Sequence, residues 1–127
     1  MVNKSFLVID DSYIDRLVAS MLIKRTYNVT EVFEVNGGRQ AIEWLTAFAH
    51  KPGDHLIILL DIMMPQMNGF EFLDRFDSLD QNLKDQTTII MLSSTLDDED
   101  TKLAQRHPHV KKLLSKPLSA NELREFI

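Results

Sequence analysis

The sequence predicts an α/β fold built on a parallel sheet, and three observations predict it. First, residues 6–9, 56–60 and 88–92 form short, almost continuously apolar runs. Runs of that length read as strands buried on both faces by covering helices. Second, strand-like and helix-like segments alternate, βα five times over, which calls for right-handed crossovers and helices on both faces in three layers. Third, the apolar runs end on polar groups, Asp10-Asp11, Asp61 and Ser93-Ser94. Open α/β sheets place their chemistry where strands leave the core in this way. No repeat, low-complexity stretch or linker divides the chain, so it reads as one domain over residues 1–127.

Composition narrows the function classes. The 127 residues are 44% hydrophobic and 26% charged, the balance of a globular domain able to bury a core. A net charge of −5 argues against duplex DNA or an anionic membrane reached through general electrostatics. Without cysteine there is no disulfide frame, thiolate nucleophile or cysteine-based zinc site. The first apolar run is too short for a signal peptide, and no segment is long enough to span a bilayer. These features together predict a cytoplasmic protein.

Taken in order, the first strand (residues 6–9) leads to Ser12, which caps a helix with Asp15 at capping-box spacing. Ile14, Leu17, Val18, Met21 and Leu22 give that helix a core-facing stripe. Asn28 ends it, and residues 30–35 alternate like an edge strand. Asn36-Gly37-Gly38 turns the chain into a helix with Ile42, Leu45, Phe48 and Ala49 on one side, closed by Pro52-Gly53. The central strand runs into Asp61 and the loop Ile62-Met63-Met64-Pro65-Gln66-Met67-Asn68. Gly69 opens a helix with Phe70, Leu73 and Phe76 inward, and the polar residues 77–86 continue it as a tail or form a loop. After the fourth strand, the acids Asp97 to Asp100 suit a helix start, and that helix stops near His107-Pro108. Residues 110–114 form the last strand, followed by Ser115-Lys116-Pro117. Ser119 and Glu122 form a capping box for a short final helix with Leu123, Phe126 and Ile127 inward.

A parallel sheet brings strand ends to one edge, so Asp10, Asp11, Asp61, Ser93 and Lys116 converge. Carboxylates at about 4 Å and an effective dielectric near 20 repel by about 4 kcal/mol per pair. A proton or a cation must compensate. Hard oxygen ligands select Mg²⁺ or Ca²⁺, and a site with so few protein carboxylates, completed by water and phosphate, has the character of Mg²⁺. A hydroxyl at Ser93 and an ammonium at Lys116, held extended before Pro117, suit the remaining oxygens of a phosphoryl group on Asp61. Ser94 is a weaker candidate for the same hydroxyl.

Asp10-Asp11 after the first strand, Asp61 with Met64-Pro65 and Asn68-Gly69 behind it, Ser93, and Lys116-Pro117 together resemble the receiver domain of two-component response regulators, in its chemotaxis-regulator-like, single-domain form. The resemblance covers essentially the whole chain. It implies a flavodoxin-like fold with strand order 2-1-3-4-5. It implies transfer of a phosphoryl group to Asp61 from a phosphohistidine on a sensor histidine kinase or phosphotransfer protein. Mg²⁺ would be held by Asp11, Asp61 and the backbone carbonyl of Met63, with Asp10 close by. Ser93 would be the switch hydroxyl and Lys116 the ion-pair partner. In-line attack by Asp61 and slow hydrolysis of the acyl phosphate follow, with Met63 and Thr95 flanking the path of the attacking water. Output would pass to a downstream protein or a second copy through the face of the fourth helix, fifth strand and fifth helix. Three features depart from the family: Leu113 stands where an aromatic switch residue is usual, residues 78–86 make a long connection, and the last helix is short. No effector domain follows in the sequence, so the chain is expected to be a stand-alone or an excised receiver.

Other readings fit less well. An aspartate-nucleophile phosphohydrolase of the haloacid dehalogenase kind needs a carboxylate two residues after Asp61, where Met63 stands. A nucleotide site needs a glycine-rich loop in place of Asp10-Asp11-Ser12. The remaining alternative is a receiver-like interaction module that works without phosphorylation. His50, His55, His107 and His109 share no metal-ligand spacing and read as surface imidazoles. Trp44 reads as half-buried packing, and Met63, Met64 and Met67 as core or loop packing rather than a docking rim.

Overall fold

The computed structural model describes residues 3–48, 51 and 53–127. Its elements are β1 (Lys4–Ile9), α1 (Tyr13–Tyr27), β2 (Phe33–Val35), α2 (Gly38–Ala47), β3 (His55–Asp61), α3 (Gly69–Phe76), α4 (Gln81–Asp85), β4 (Thr87–Ser93), α5 (Asp98–Arg106), β5 (Val110–Ser115) and α6 (Ala120–Phe126). The five strands form one sheet in the order β2-β1-β3-β4-β5, and every pairing is parallel. This is the parallel sheet expected from the apolar runs, in the flavodoxin-like order that the resemblance implies.

Strand alternation divides the core in two. Leu7, Ile9, Ile58, Leu60, Ile89, Met91 and Leu113 face α2, α3, α4 and α5 through Leu45, Phe72, Phe76, Leu83 and Ala104. Phe6, Val8, Ile57, Leu59, Ile90, Leu92 and Leu114 face α1 and α6 through Ala19, Ile23 and Leu123. Central strands covered on both sides need no polar face, which is why their sequences are continuously apolar.

Several local expectations change. On α1 the buried residues are Ala19, Ser20 and Ile23, with Leu22 half-buried beside them. Ile14, Leu17, Val18 and Met21 of the expected stripe are 62%, 40%, 51% and 54% exposed. The helix is rotated because polar side chains point inward. The Ser20 hydroxyl donates to Glu34 Oε2 at 2.9 Å, and Arg16 turns toward β1 and β2. The edge strand shrinks to Phe33–Val35, because only the C-terminal end of β1, Leu7 to Ile9, pairs with it.

The connection after α3 contains a helix of its own. α4 puts Leu83 into the core, and Lys84 Nζ donates to the Asp77 carbonyl at 2.8 Å. Among the histidines, His107 is not a surface imidazole: its side chain is 10% exposed and bonded to Asp77 at 2.7 Å. His55 and His109 are half-buried. Trp44 is half-buried and stacks on Phe48. Met64 is buried and Met67 packs against the core, but Met63 is 70% exposed. Ala49, His50 and Pro52 lie outside the described residues.

Candidate functional site

The strand ends meet at the C-terminal edge of the sheet. β1 delivers Asp10 and Asp11, β3 ends on Asp61, β4 on Ser93 and β5 leads into Lys116. One carboxylate oxygen from each of Asp10, Asp11 and Asp61 lies within 4.8 Å of the others. Asp10 and Asp61 are buried and Asp11 is exposed. Lys116 Nζ binds Asp10 Oδ2 at 2.9 Å, Asp15 Oδ2 at 2.9 Å and Asp61 Oδ1 at 3.2 Å. The peptide bond between Lys116 and Pro117 is cis.

Local chemistry fixes these groups. Asp10 Oδ1 accepts the Ser12 backbone N–H at 2.9 Å, while the Ser12 hydroxyl caps α1 by accepting the Asp15 N–H at 3.2 Å. The loop after β3 closes where the Gly69 N–H donates to the Ile62 carbonyl at 2.8 Å. A Cβ on Gly69 would stand 2.9 Å from the Asp61 carbonyl oxygen, so this close approach requires glycine. Gln66 takes a left-handed conformation, φ 70°, within the same loop. Asn68 and Glu71 then form a reciprocal capping box that starts α3.

The electrostatics follow from crowding. Burial, and then the charge of Asp10, push the Asp61 carboxyl up to about 6, against the opposing charge and hydrogen bond of Lys116 and the Met63 backbone N–H. Burial alone would lower the pKa of the Lys116 ammonium. Its hydrogen bonds to Asp10 and Asp15 and the charges of Asp10 and Asp61 outweigh that and hold it above the ordinary lysine value. Three carboxylates thus face one ammonium, and Asp11 adds a further negative charge beside Asp10 and Asp61. An all-oxygen, crowded and net negative donor set fits a small hard divalent cation.

Ser93 is buried at the end of β4, but its hydroxyl is turned onto its own loop. It donates to the Thr95 carbonyl and accepts the Thr95 N–H. The structure therefore brings Asp10, Asp11, Asp61 and Lys116 together, with Ser93 beside them and bonded locally. Met63 follows two residues behind Asp61 in the exposed loop.

Two contributions are absent from the sequence reading. Arg16 donates through a terminal guanidinium nitrogen to the Asp10 carbonyl at 2.8 Å and lies 3.5 Å from Glu34, so it clamps the end of β1 to β2. Asp15 does not close the capping box expected of it; its carboxylate goes to Lys116 instead. Neither contact carries a sequence signal, because each joins elements that meet only in the folded sheet.

The response regulator receiver domain family model matches residues 6–127. The sporulation initiation phosphotransferase F of Bacillus subtilis is 24% identical over 127 residues, covering 100% of this chain and 93% of that protein. Several other curated relatives are longer, and the chain spans less than half of their length. A response regulator receiver protein from Dyadobacter fermentans superposes with a TM-score of 0.86 at 33% identity, over 96% of this chain and 93% of that one. A two component response regulator from Cytophaga hutchinsonii does so with 0.85 at 35% identity, over 99% and 95%. Motif order, sheet order and converging acids agree with these likenesses, and the chain belongs to the response regulator receiver domain family, the phosphoacceptor signalling domains of two-component systems.

Proposed function

We propose that Asp61 is the phosphoacceptor of this receiver, taking a phosphoryl group from a phosphohistidine on a sensor histidine kinase or phosphotransfer protein. The observation that carries this reading is the Asp61 carboxylate, buried and raised toward 6, with an oxygen 3.2 Å from Lys116 Nζ and the Asp10 and Asp11 carboxylates beside it. One Asp61 oxygen attacks phosphorus in line. The P–N bond breaks, and the departing histidine nitrogen keeps the electron pair and takes up a proton. Lys116 holds Asp61 in place and offers its positive charge to the phosphoryl oxygens, so catalysis is positioning and charge stabilisation. Asp11, Asp61 and the Met63 carbonyl, with Asp10 alongside, would hold Mg²⁺, which when bound neutralises charge on the transferred group. Later attack by water on phosphorus frees inorganic phosphate and restores Asp61, and Met63 and Thr95 flank that approach.

Ser93 is the switch hydroxyl of this reading: it leaves the Thr95 backbone to meet a phosphoryl oxygen. The consequence is passed to the face of α5, β5 and α6, where a groove of about 300 Å³ is lined by Leu96, Ala104, Val110 and Leu113. A downstream protein or a second copy would bind there. The exposed apolar face of α1, next to Asp11, is the natural seat for the phosphodonor. The chain acts as one receiver unit over residues 1–127, and a cytoplasmic location goes with this role. Among the described residues no helix is long and apolar enough to cross a membrane.

The test is incubation with acetyl phosphate or phosphoramidate and Mg²⁺, followed by intact mass. One hydroxylamine-labile phosphoryl group is expected on the wild type and none on Asp61→Asn. No uptake, or uptake that survives Asp61→Asn, would overturn the assignment.

A further inference from the structure

We propose that Asp15 is a positioning residue for Lys116, drawing the ammonium toward α1 and so lowering the affinity of the pocket for a phosphoryl group. The inference rests on the acceptor reading above and concerns the regulation of that same site. An ammonium has three N–H donors, and Lys116 Nζ has three carboxylate partners. Those to Asp10 and Asp15 are 2.9 Å long, whereas the one to Asp61, which would carry the phosphoryl group, is 3.2 Å. Lys116 is thus held most closely by two acids other than the acceptor.

The two acids differ in kind. Asp10 is fixed: its side chain is 5% exposed and its other oxygen holds the Ser12 N–H. Asp15 is 44% exposed and stands outside the group of three acids that could share a cation. Its position on α1 also matters. Glu71 and Glu122, at the third position of α3 and α6, reach back to the N-cap backbone and close capping boxes. Asp15 holds the same position on α1, one methylene shorter, and its carboxylate reaches the lysine instead. The Ser12 N–H it would have accepted is taken by Asp10. The contact also forms the rim of a groove of about 330 Å³ lined by Val18, Leu22, Pro117 and Leu118.

A carboxylate that shares the lysine without sharing the metal reduces the positive charge available to an anion on Asp61. Asparagine at this position keeps an oxygen acceptor for Lys116 and removes the competing charge. The readouts are the affinity of the wild type, Asp15→Asn and Asp15→Ser for beryllofluoride with Mg²⁺, by calorimetry, and the ¹⁵N resonance of Lys116 Nζ. Both variants are expected to bind beryllofluoride about two- to fivefold more tightly at low ionic strength, the effect of a half-exposed charge, with a displaced Nζ resonance. Unchanged or weaker binding by the variants overturns the proposal. Tighter binding with an unmoved Nζ resonance overturns it as well, since the effect would then be general repulsion. A wild type that binds no beryllofluoride overturns the acceptor reading itself and this inference with it.

Discussion

Asp61 is a carboxylate whose surroundings work against its charge, and its behaviour with pH follows. Its ordinary value is 3.8, and in the fold it is raised to about 6 by burial and by Asp10. Between those values the folded chain keeps a proton that the unfolded chain has lost, so this contribution to stability is complete below about pH 4 and is lost as pH rises through about 6. Asp61→Asn should therefore unfold at higher denaturant concentration than the wild type at pH 7, by about 1–3 kcal/mol, with a flatter pH profile between 4 and 6. Chemical competence runs in the opposite sense. As the proposed acceptor, Asp61 is a poor nucleophile when protonated, so phosphoryl uptake from phosphoramidate should fall at acid pH, with a midpoint that moves lower as Mg²⁺ is raised, measured as initial rate against pH. Arg16 belongs to the same scale. Arg16→Ala leaves the buried Asp10 carbonyl without its donor and Glu34 without its cation. A loss of about 1–3 kcal/mol is expected, read from urea unfolding.

At the level of elements, the site depends on where strands stop. β3 can end on Asp61 only because the loop behind it folds tightly onto Ile62, with Gly69 as the contact point. Gly69→Ala would press a methyl carbon against the Asp61 carbonyl oxygen and the Ile62 Cα, at 2.9 and 3.0 Å. Backbone has little room to yield there, so the variant should lose about 1–3 kcal/mol in thermal unfolding and bind Mg²⁺ more weakly in a titration. The caps of α3 and α6 were both set by local chemistry, although only Ser119-Glu122 was read from sequence. Asn68-Glu71 carries the same spacing, with asparagine in place of serine. α4 likewise has a packing role that its polar sequence conceals, since only Leu83 enters the core.

For the whole molecule, the notable feature is an apolar face on α1 left exposed among the described residues. Ile14, Val18 and Met21 on α1 are more than half exposed, adjacent to the acids that the donor must approach. Val18→Lys should change stability by no more than about 0.5 kcal/mol, as at other exposed positions. It should slow transfer from a phosphohistidine donor while leaving uptake from acetyl phosphate unchanged; equal loss in both assays would place Val18 in the pocket's own packing instead. The sequence by itself determined the sheet, its strands and the chemistry at their ends, because buried parallel strands must be continuously apolar and their polar exits stand out against that background. It also determined the caps at Ser12 and Ser119, whose hydrogen bonds are made within three residues. Only the tertiary structure decided which way α1 turns and where Asp15 and Arg16 send their charges. Those outcomes depend on partners from distant parts of the chain, and a periodic pattern records that a helix has an apolar side but not which charged neighbour will claim the other.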